Sequence, residues 1–272
     1  MADPSLFLAP MVYHYGWSLE DADRIAQGTV VGHLLECAGQ ICGGYFADPG
    51  IKDVPDLANI GFPYADINST GRAVIGKVAG TGGLISLATV KEQLLYEVTD
   101  PTGYVTPDVV ADFTAVCLRE AGSDQIEVSN GRGRRRPQAL KVSIGYQAGF
   151  LGEGEISYAG SNAVARARLA GEIVRERVQH RCGDLRVDYI GSTSVHRQSF
   201  WPDAKPYEVR LRVAGKVPTR ELAELIGEEV EALYTNGPAG GGGARKYVNE
   251  LIGIVSTLIP RNKVTTHVTV LE

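Results

Sequence analysis

The chain has 272 residues, 44% of them apolar and 22% charged, with a formal net charge of −5. That is enough for an ordinary globular core in one or two domains, and too rich in Val, Ile and Leu for a disordered chain. The acidic balance argues against a nucleic-acid binder, which needs a basic face, and no apolar run approaches the roughly 18 residues of a membrane span.

The N-terminus, "MADPSLFLAPMVYHYGW", carries an acid and two prolines where a signal peptide needs a basic flank, so the expected location is the cytoplasm. Cys37, Cys42, Cys117 and Cys182 contain no CxxC pair and are expected as reduced thiols. Ser18 with Asp21 three residues on forms a capping pattern. "LEDADRIAQG" and "VVGHLLECAGQICGG" then carry helical spacing, which predicts a helix running to Gly43 and Gly44. A loop with Pro49, Pro55 and Pro63 follows, then a hairpin of "YADI" and "AVIGKV" around "NSTGR". "AGTGGLISLATVKEQLLYEV" reads as a glycine turn entering an amphipathic helix, and "FTAVCLREAGSDQIEVSNG" as two strands around a turn.

After a cut placed near residue 138, "LKVSIGYQ", "LRVDYIG", "YEVRLRVAG" and "NELIGIVSTLI" read as strands. "SNAVARARLAGEIVRERVQH" and "TRELAELIGEEVEALY" read as helices. The order is βαββαβ. The predicted class is therefore α+β, with a ferredoxin-like unit in the second half and "TTHVTVL" as an edge strand. Regions 1–138 and 139–272 are expected to make one compact body.

Several stretches have the residue types for chemistry. His33, Glu36, Cys37 and Gln40 fall at i, i+3, i+4 and i+7 of the first long helix, a polar stripe on an otherwise apolar surface. Buried polar groups without partners cost about 1–3 kcal/mol each, so the stripe lines a ligand cleft, forms a Cys–His pair, or is an internally satisfied cluster. With only this His-Glu/Cys group present, no metal site is expected. In "GTGGL", Gly80, Thr81, Gly82 and Gly83 precede a helix, where bare amides favour an anion; the alternative is a tight connection. Glu153 and Glu155 in "GEGEISYAG" are either a proton-transfer pair or exposed loop acids. Arg132, Arg134, Arg135 and Arg136 are either a phosphate grip or a solvated turn. "TNGPAGGGGAR" sets Asn236, Gly240, Gly241, Gly242 and Gly243 before Arg245, as an anion nest or a surface loop.

"GHLLECAGQICGGYFADPG", "DVPDLANIGFP", "GTGGLISLATVKEQLLYEVTDP", "VTPDVVADF", "GEGEISYAG" and "EALYTNGPAGGGGAR" together resemble the acyclic terpene utilisation family, AtuA, along nearly the whole chain. The resemblance implies a protein matching the middle and later part of that family's main domain, without its usual N-terminal α/β segment and C-terminal small domain. A homo-oligomer, or a partner chain supplying that segment, is expected in consequence. It also implies catabolism of branched, terpenoid-type acids as coenzyme A thioesters. No cofactor is indicated; the thioester or carboxylate enters as substrate. Two functions stay open. One is an enzyme of lyase or hydratase type, with His33, Glu36 or Glu153 moving protons and the glycine turns gripping the anion. The other is a noncatalytic partner or scaffold for acyl-CoA enzymes.

Overall fold

The computed structural model describes residues 3–197, 205–267 and 269. The fold is α+β, in two compact units: Met1–Leu140 with Leu258–Glu272, and Lys141–Thr257.

In the first unit, Asp3 caps α1 (Pro4–Tyr15), which ends on left-handed Gly16. Asp21 itself, not Ser18, caps α2 (Ala22–Leu35) by accepting from the Arg24 amide at 3.2 Å. Ten consecutive residues of α2, Ile25 to Leu34, are buried. The hairpin appears as β1 (Pro63–Ile67) and β2 (Ala73–Lys77), and a reciprocal Ser86–Thr89 capping box starts α3 (Leu87–Leu95). Short strands β3 (Tyr104–Val105) and β4 (Val110–Asp112) follow, then β5 (Cys117–Gly122), β6 (Gln125–Ser129) and β7 (Arg132–Arg134). Two antiparallel sheets result, ordered β1-β2-β6-β5 and β3-β4-β7. Ile25, Val30 and Leu34 of α2 join Ile75, Ile126, Val128 and Phe113 in one core.

The second unit is the expected βαββαβ. Its elements are β8 (Ala139–Ala159), α4 (Ala163–Cys182), β9 (Leu185–Ile190), β10 (Glu208–Val217), α5 (Arg220–Glu231), the single turn α6 (Leu233–Asn236) and β11 (Gly242–Pro260). The strand order β11-β8-β10-β9 places β10 between β8 and β9 and antiparallel to both, as a split βαβ requires. Val209, Leu211 and Val213 of β10 alternate inward onto α4 and α5.

Four expectations need correction. The first long helix stops at Leu35 instead of reaching Gly43, because Ala38 takes a left-handed φ of 50° that no helix continues through. Of the two readings of "GEGEISYAG", loop acids do not hold: β8 runs through it as far as Ala159. Gly152 and Gly154 face α5, where a Cβ on Gly154 would lie 2.6 Å from the Val230 Cβ and one on Gly152 would overlap the Ala223 carbonyl oxygen. In the arginine run, Arg132–Arg134 form strand β7 and not a turn, whereas Arg135 and Arg136 follow it outside any strand. Gly133 packs so tightly on α2 that a Cβ would sit 2.5 Å from the Ala22 carbonyl oxygen, and Arg132 and Arg134 alternate outward. "TTHVTVL" forms no strand over Thr265–His267, and its remainder lies largely outside the described residues.

All four cysteines are free. Burial pushes the Cys42 thiol up to about 11, and Cys117 is exposed. A thiol reagent at neutral pH should therefore label Cys117 first and Cys42 only on unfolding, followed by mass spectrometry of the peptides. Gly152→Ala should lower stability by about 2–3 kcal/mol in urea unfolding, because neither the β8 backbone nor the α5 carbonyl has room to yield.

Candidate functional site

At the C-terminal end of α2, His33 is only 2% exposed. Its Nδ1 lies 2.7 Å from Oε1 of Glu36, the residue that caps the helix. A carboxylate accepts, so Nδ1 is the donor of this pair, and in the neutral imidazole Nε2 then presents its lone pair. Nε2 is buried and has no hydrogen-bond partner. Tyr104 of β3 and Phe113 flank the ring, each with its centroid 5.3 Å from the imidazole. From α3, the buried Gln93 donates from Nε2 to the His33 carbonyl at 2.9 Å, which fixes the last turn of α2.

Buried polar atoms without partners are rare in folded proteins and mark a missing water or ligand atom. Among the described residues there are four: His33 Nε2, Gln93 Oε1, Gln40 Nε2 and, in the second unit, the Tyr158 hydroxyl. Three of them belong to α2, α3 and the turn after α2. Burial, and then the charges of Glu36, Asp3, Glu97 and Cys37, push Tyr104 up to about 12, so its phenol stays a donor through the physiological range. Half-buried Cys37 leads into Ala38, whose left-handed backbone is strained at about 1–3 kcal/mol for a residue with a Cβ. That turn takes Gln40 off the helical stripe expected to join it to His33; Gln40 sits instead at the end of the 3₁₀ turn Ala38–Gln40.

The other glycine turn of the first unit is internally occupied. The Gly82 amide donates to Asn59 O at 2.9 Å, Gly83 to Pro55 O at 2.8 Å and Leu84 to Cys42 O at 2.9 Å. The Thr81 hydroxyl donates to Val78 O, and Lys77 Nζ donates to Thr81 O. Gly80, with φ of 75°, has open space where a side chain would be. This is the geometry of a tight connection.

In the second unit, Glu153 and Glu155 lie on the sheet face opposite α5, engaged by Arg212 and by Arg210 (2.6 Å), respectively; Arg212 also reaches Asp188 at 3.0 Å. Both carboxylates are thus held by guanidinium groups. Asn236 closes α6, and Gly237 is extended, with φ of −128°, not left-handed. The following turn uses left-handed Gly240 and Gly243, and Arg166 holds its Ala239 carbonyl at 2.7 Å. Gly241 packs near Tyr158, Gly242 opens β11, and Arg245 is exposed on that strand.

A polar cleft of about 430 Å³ opens beside the start of α2, lined by Arg24, Gln27, Arg72, Glu127 and Arg132 among others. The sequence shows Arg132 but not the cleft, because its walls come from three separate segments, 23–27, 70–72 and 127–132. Arg72 and Arg119 hydrogen-bond to Glu127 and hold its carboxyl below the ordinary 4.5. Arg132 pairs with Asp23 at 2.7 Å, and Arg136 with Glu20 at 3.0 Å. Gln93 and Tyr104 were missed as well. Gln93 had a signal, a polar residue on the buried face between Val90 and Leu94, whereas Tyr104 lies in a turn-rich stretch with none.

No described residues gather three or more His, Cys, Asp or Glu around a metal position, and no described helix is long and apolar enough to cross a membrane. The family model described as acyclic terpene utilisation family protein AtuA matches residues 1–270. No curated protein and no solved structure matches the chain.

Glu36→Ala leaves the His33 Nδ1 donor buried without its acceptor and should cost about 1–3 kcal/mol in urea unfolding, with Glu36→Gln costing less. For Glu127 the folded value lies below the unfolded one. Its stabilisation is full above pH 4.5 and is lost as pH falls through the folded value. Glu127→Gln should therefore flatten the acid limb of the stability profile, measured by thermal unfolding from pH 7 to pH 3.

Proposed function

The chain belongs to the acyclic terpene utilisation family, AtuA, and from that premise we propose an enzyme acting on a branched carboxylic acid or its coenzyme A thioester by acid/base chemistry. The observation that carries this reading is a single atom: His33 Nε2, enclosed and unpartnered, on a ring whose other nitrogen is held by Glu36. An imidazole so arranged takes a proton at Nε2, and the carboxylate at Nδ1 stabilises the cation that forms. Tyr104, kept protonated beside it, is a donor for the oxygen of a carbonyl on which negative charge develops. A lyase or hydratase needs these two functions, proton abstraction and stabilisation of an enolate-like oxygen.

In this reading the roles narrow. His33 moves the proton, Glu36 orients it, and Gln93 positions the helix end. Gly80 to Gly83 shape the unit and do not grip the anion. The turn at Gly240 and Gly241, with Arg245, keeps an anion-binding role within the second unit taken by itself. Glu153 and Glu155, engaged by arginines, act as structural charges rather than as an acid/base pair.

A second reading, a noncatalytic partner or scaffold for acyl-CoA enzymes, draws on the occupied amides of Gly82 and Gly83. Thermal unfolding separates the two. Free coenzyme A, short branched acyl thioesters and the free acids are each added at rising concentration. A ligand at 100 times its Kd adds about 2.7 kcal/mol to the folded state. The enzyme reading expects a raised midpoint with at least one thioester or acid, and loss of turnover of that ligand by 100-fold or more in His33→Gln with its binding retained. A midpoint unmoved by every ligand favours the scaffold.

A further inference from the structure

Among the described residues, β11 is the outermost strand of its sheet and pairs only with β8. β10 pairs with β8 over Phe150–Ala159, so among the described strands the earlier part of β8 has β11 as its one neighbour. A two-stranded ribbon of this kind is marginal in water unless something covers it. This one carries apolar side chains on both faces: Ile252 and Ile254 are 76% and 70% exposed, and Val255, Ile144 and Tyr146 are about half exposed. At these exposures the apolar area is on the order of several hundred Å², as large as the largest patch on a typical monomer, about 300–600 Å².

The occupant can be read from the strand. Residues 248–258 are "VNELIGIVSTL". Outward from Gly253, either direction meets two apolar residues, two polar residues and one apolar residue. A polarity palindrome is what an isologous contact requires, because a two-fold axis sets each residue against its mirror position on an identical strand. Antiparallel pairing of β11 with β11 of another chain, centred on Gly253, puts Ile252 against Ile254, Leu251 against Val255, Asn249 against Thr257 and Val248 against Leu258. Every apolar residue then meets an apolar one, on the same side of the sheet.

Gly253 itself has a use at the axis. A Cβ there would lie within 2.6 Å of the Tyr146 ring, so the neighbouring aromatic already covers the bare backbone. The edge also lacks the protection of a strand that must stay unpaired. Glu250 is the only charged residue between Val248 and Leu258, and no proline interrupts the strand before Pro260.

We propose that the β11 edge is the dimerisation surface of this protein, joining a second copy of the chain by antiparallel strand pairing about Gly253. Light scattering should give twice the 29.1 kDa chain mass at micromolar concentration. Ile254→Lys should give a monomer with unchanged far-UV circular dichroism. The register is tested in a Cys117→Ser background by making Asn249→Cys and Thr257→Cys separately. Residues opposite one another in antiparallel strands have Cα atoms about 4.5–5.5 Å apart, within disulfide reach. On oxidation the mixed proteins should form a disulfide-linked dimer, and neither variant should do so alone. A monomeric wild type overturns the proposal. So does an assembly that survives a folded Ile254→Lys, or a dimer in which the mixture forms no bond. If Ile254→Lys fails to fold, the cysteine pair decides.

Discussion

Two strands of this molecule press bare backbone against a helix, and much else follows from that contact. In "GRGR" the glycines at 131 and 133 face α2, and in "GEGE" those at 152 and 154 face α5. Strand alternation then sends every second residue to the other side, and in both stretches that residue is charged. The close approach lets the helix backbone lie nearly on the strand, where even an alanine methyl would intrude. The outward charges find partners of opposite sign: Arg132 with Asp23, Glu155 with Arg210, and Glu153 with Arg212. Glycine richness here serves packing, and the charges beside it stitch neighbouring elements together.

The same enclosure shapes the candidate site. α2 meets α1, α3, β1, β4 and β7, so a polar group on its buried stretch has to be satisfied by the protein or by a guest. Gln27 is satisfied: its amide donates to Val128 O and accepts from the Gly131 amide at 2.6 Å. His33, two turns further on, is satisfied at one nitrogen only. Two buried polar residues on one helix thus have opposite fates. Gln27 closes a seam between elements, whereas His33 keeps its Nε2 without a protein partner on a buried helix.

Much of the fold was legible in order and type. Period-2 and period-3.6 patterns, and Gly-Asn turns, carried the hairpin at Asn68–Arg72 and the βαββαβ order of the second unit. They failed where a residue's environment outweighed its local preference. Glycine usually ends a strand, so "GEGEISYAG" allowed a loop as one of two readings, although Gly152 and Gly154 stay in the sheet to admit α5. Helical spacing through Cys37 and Gln40 continued on paper, but the left-handed Ala38 breaks it, and alanine gives no warning of such a turn. At the site, His33 and Glu36 could be found because they share a helix and a spacing. Tyr104, Phe113 and Gln93 come from separate elements, and only the tertiary structure brings them to the imidazole.

The turn at Gly82 and Gly83 has one more effect. Residues 45–62 form no strand or α-helix, yet Pro55, Asn59 and Gly61 all exchange backbone hydrogen bonds with that turn, and Ile60 bridges Gly82. A segment with so little structure of its own would ordinarily be an easy target for proteases. Between Pro55 and Gly61, cleavage has to wait until the turn lets go. Nicking there would then report the opening of this latch, and not the global unfolding of the core behind it.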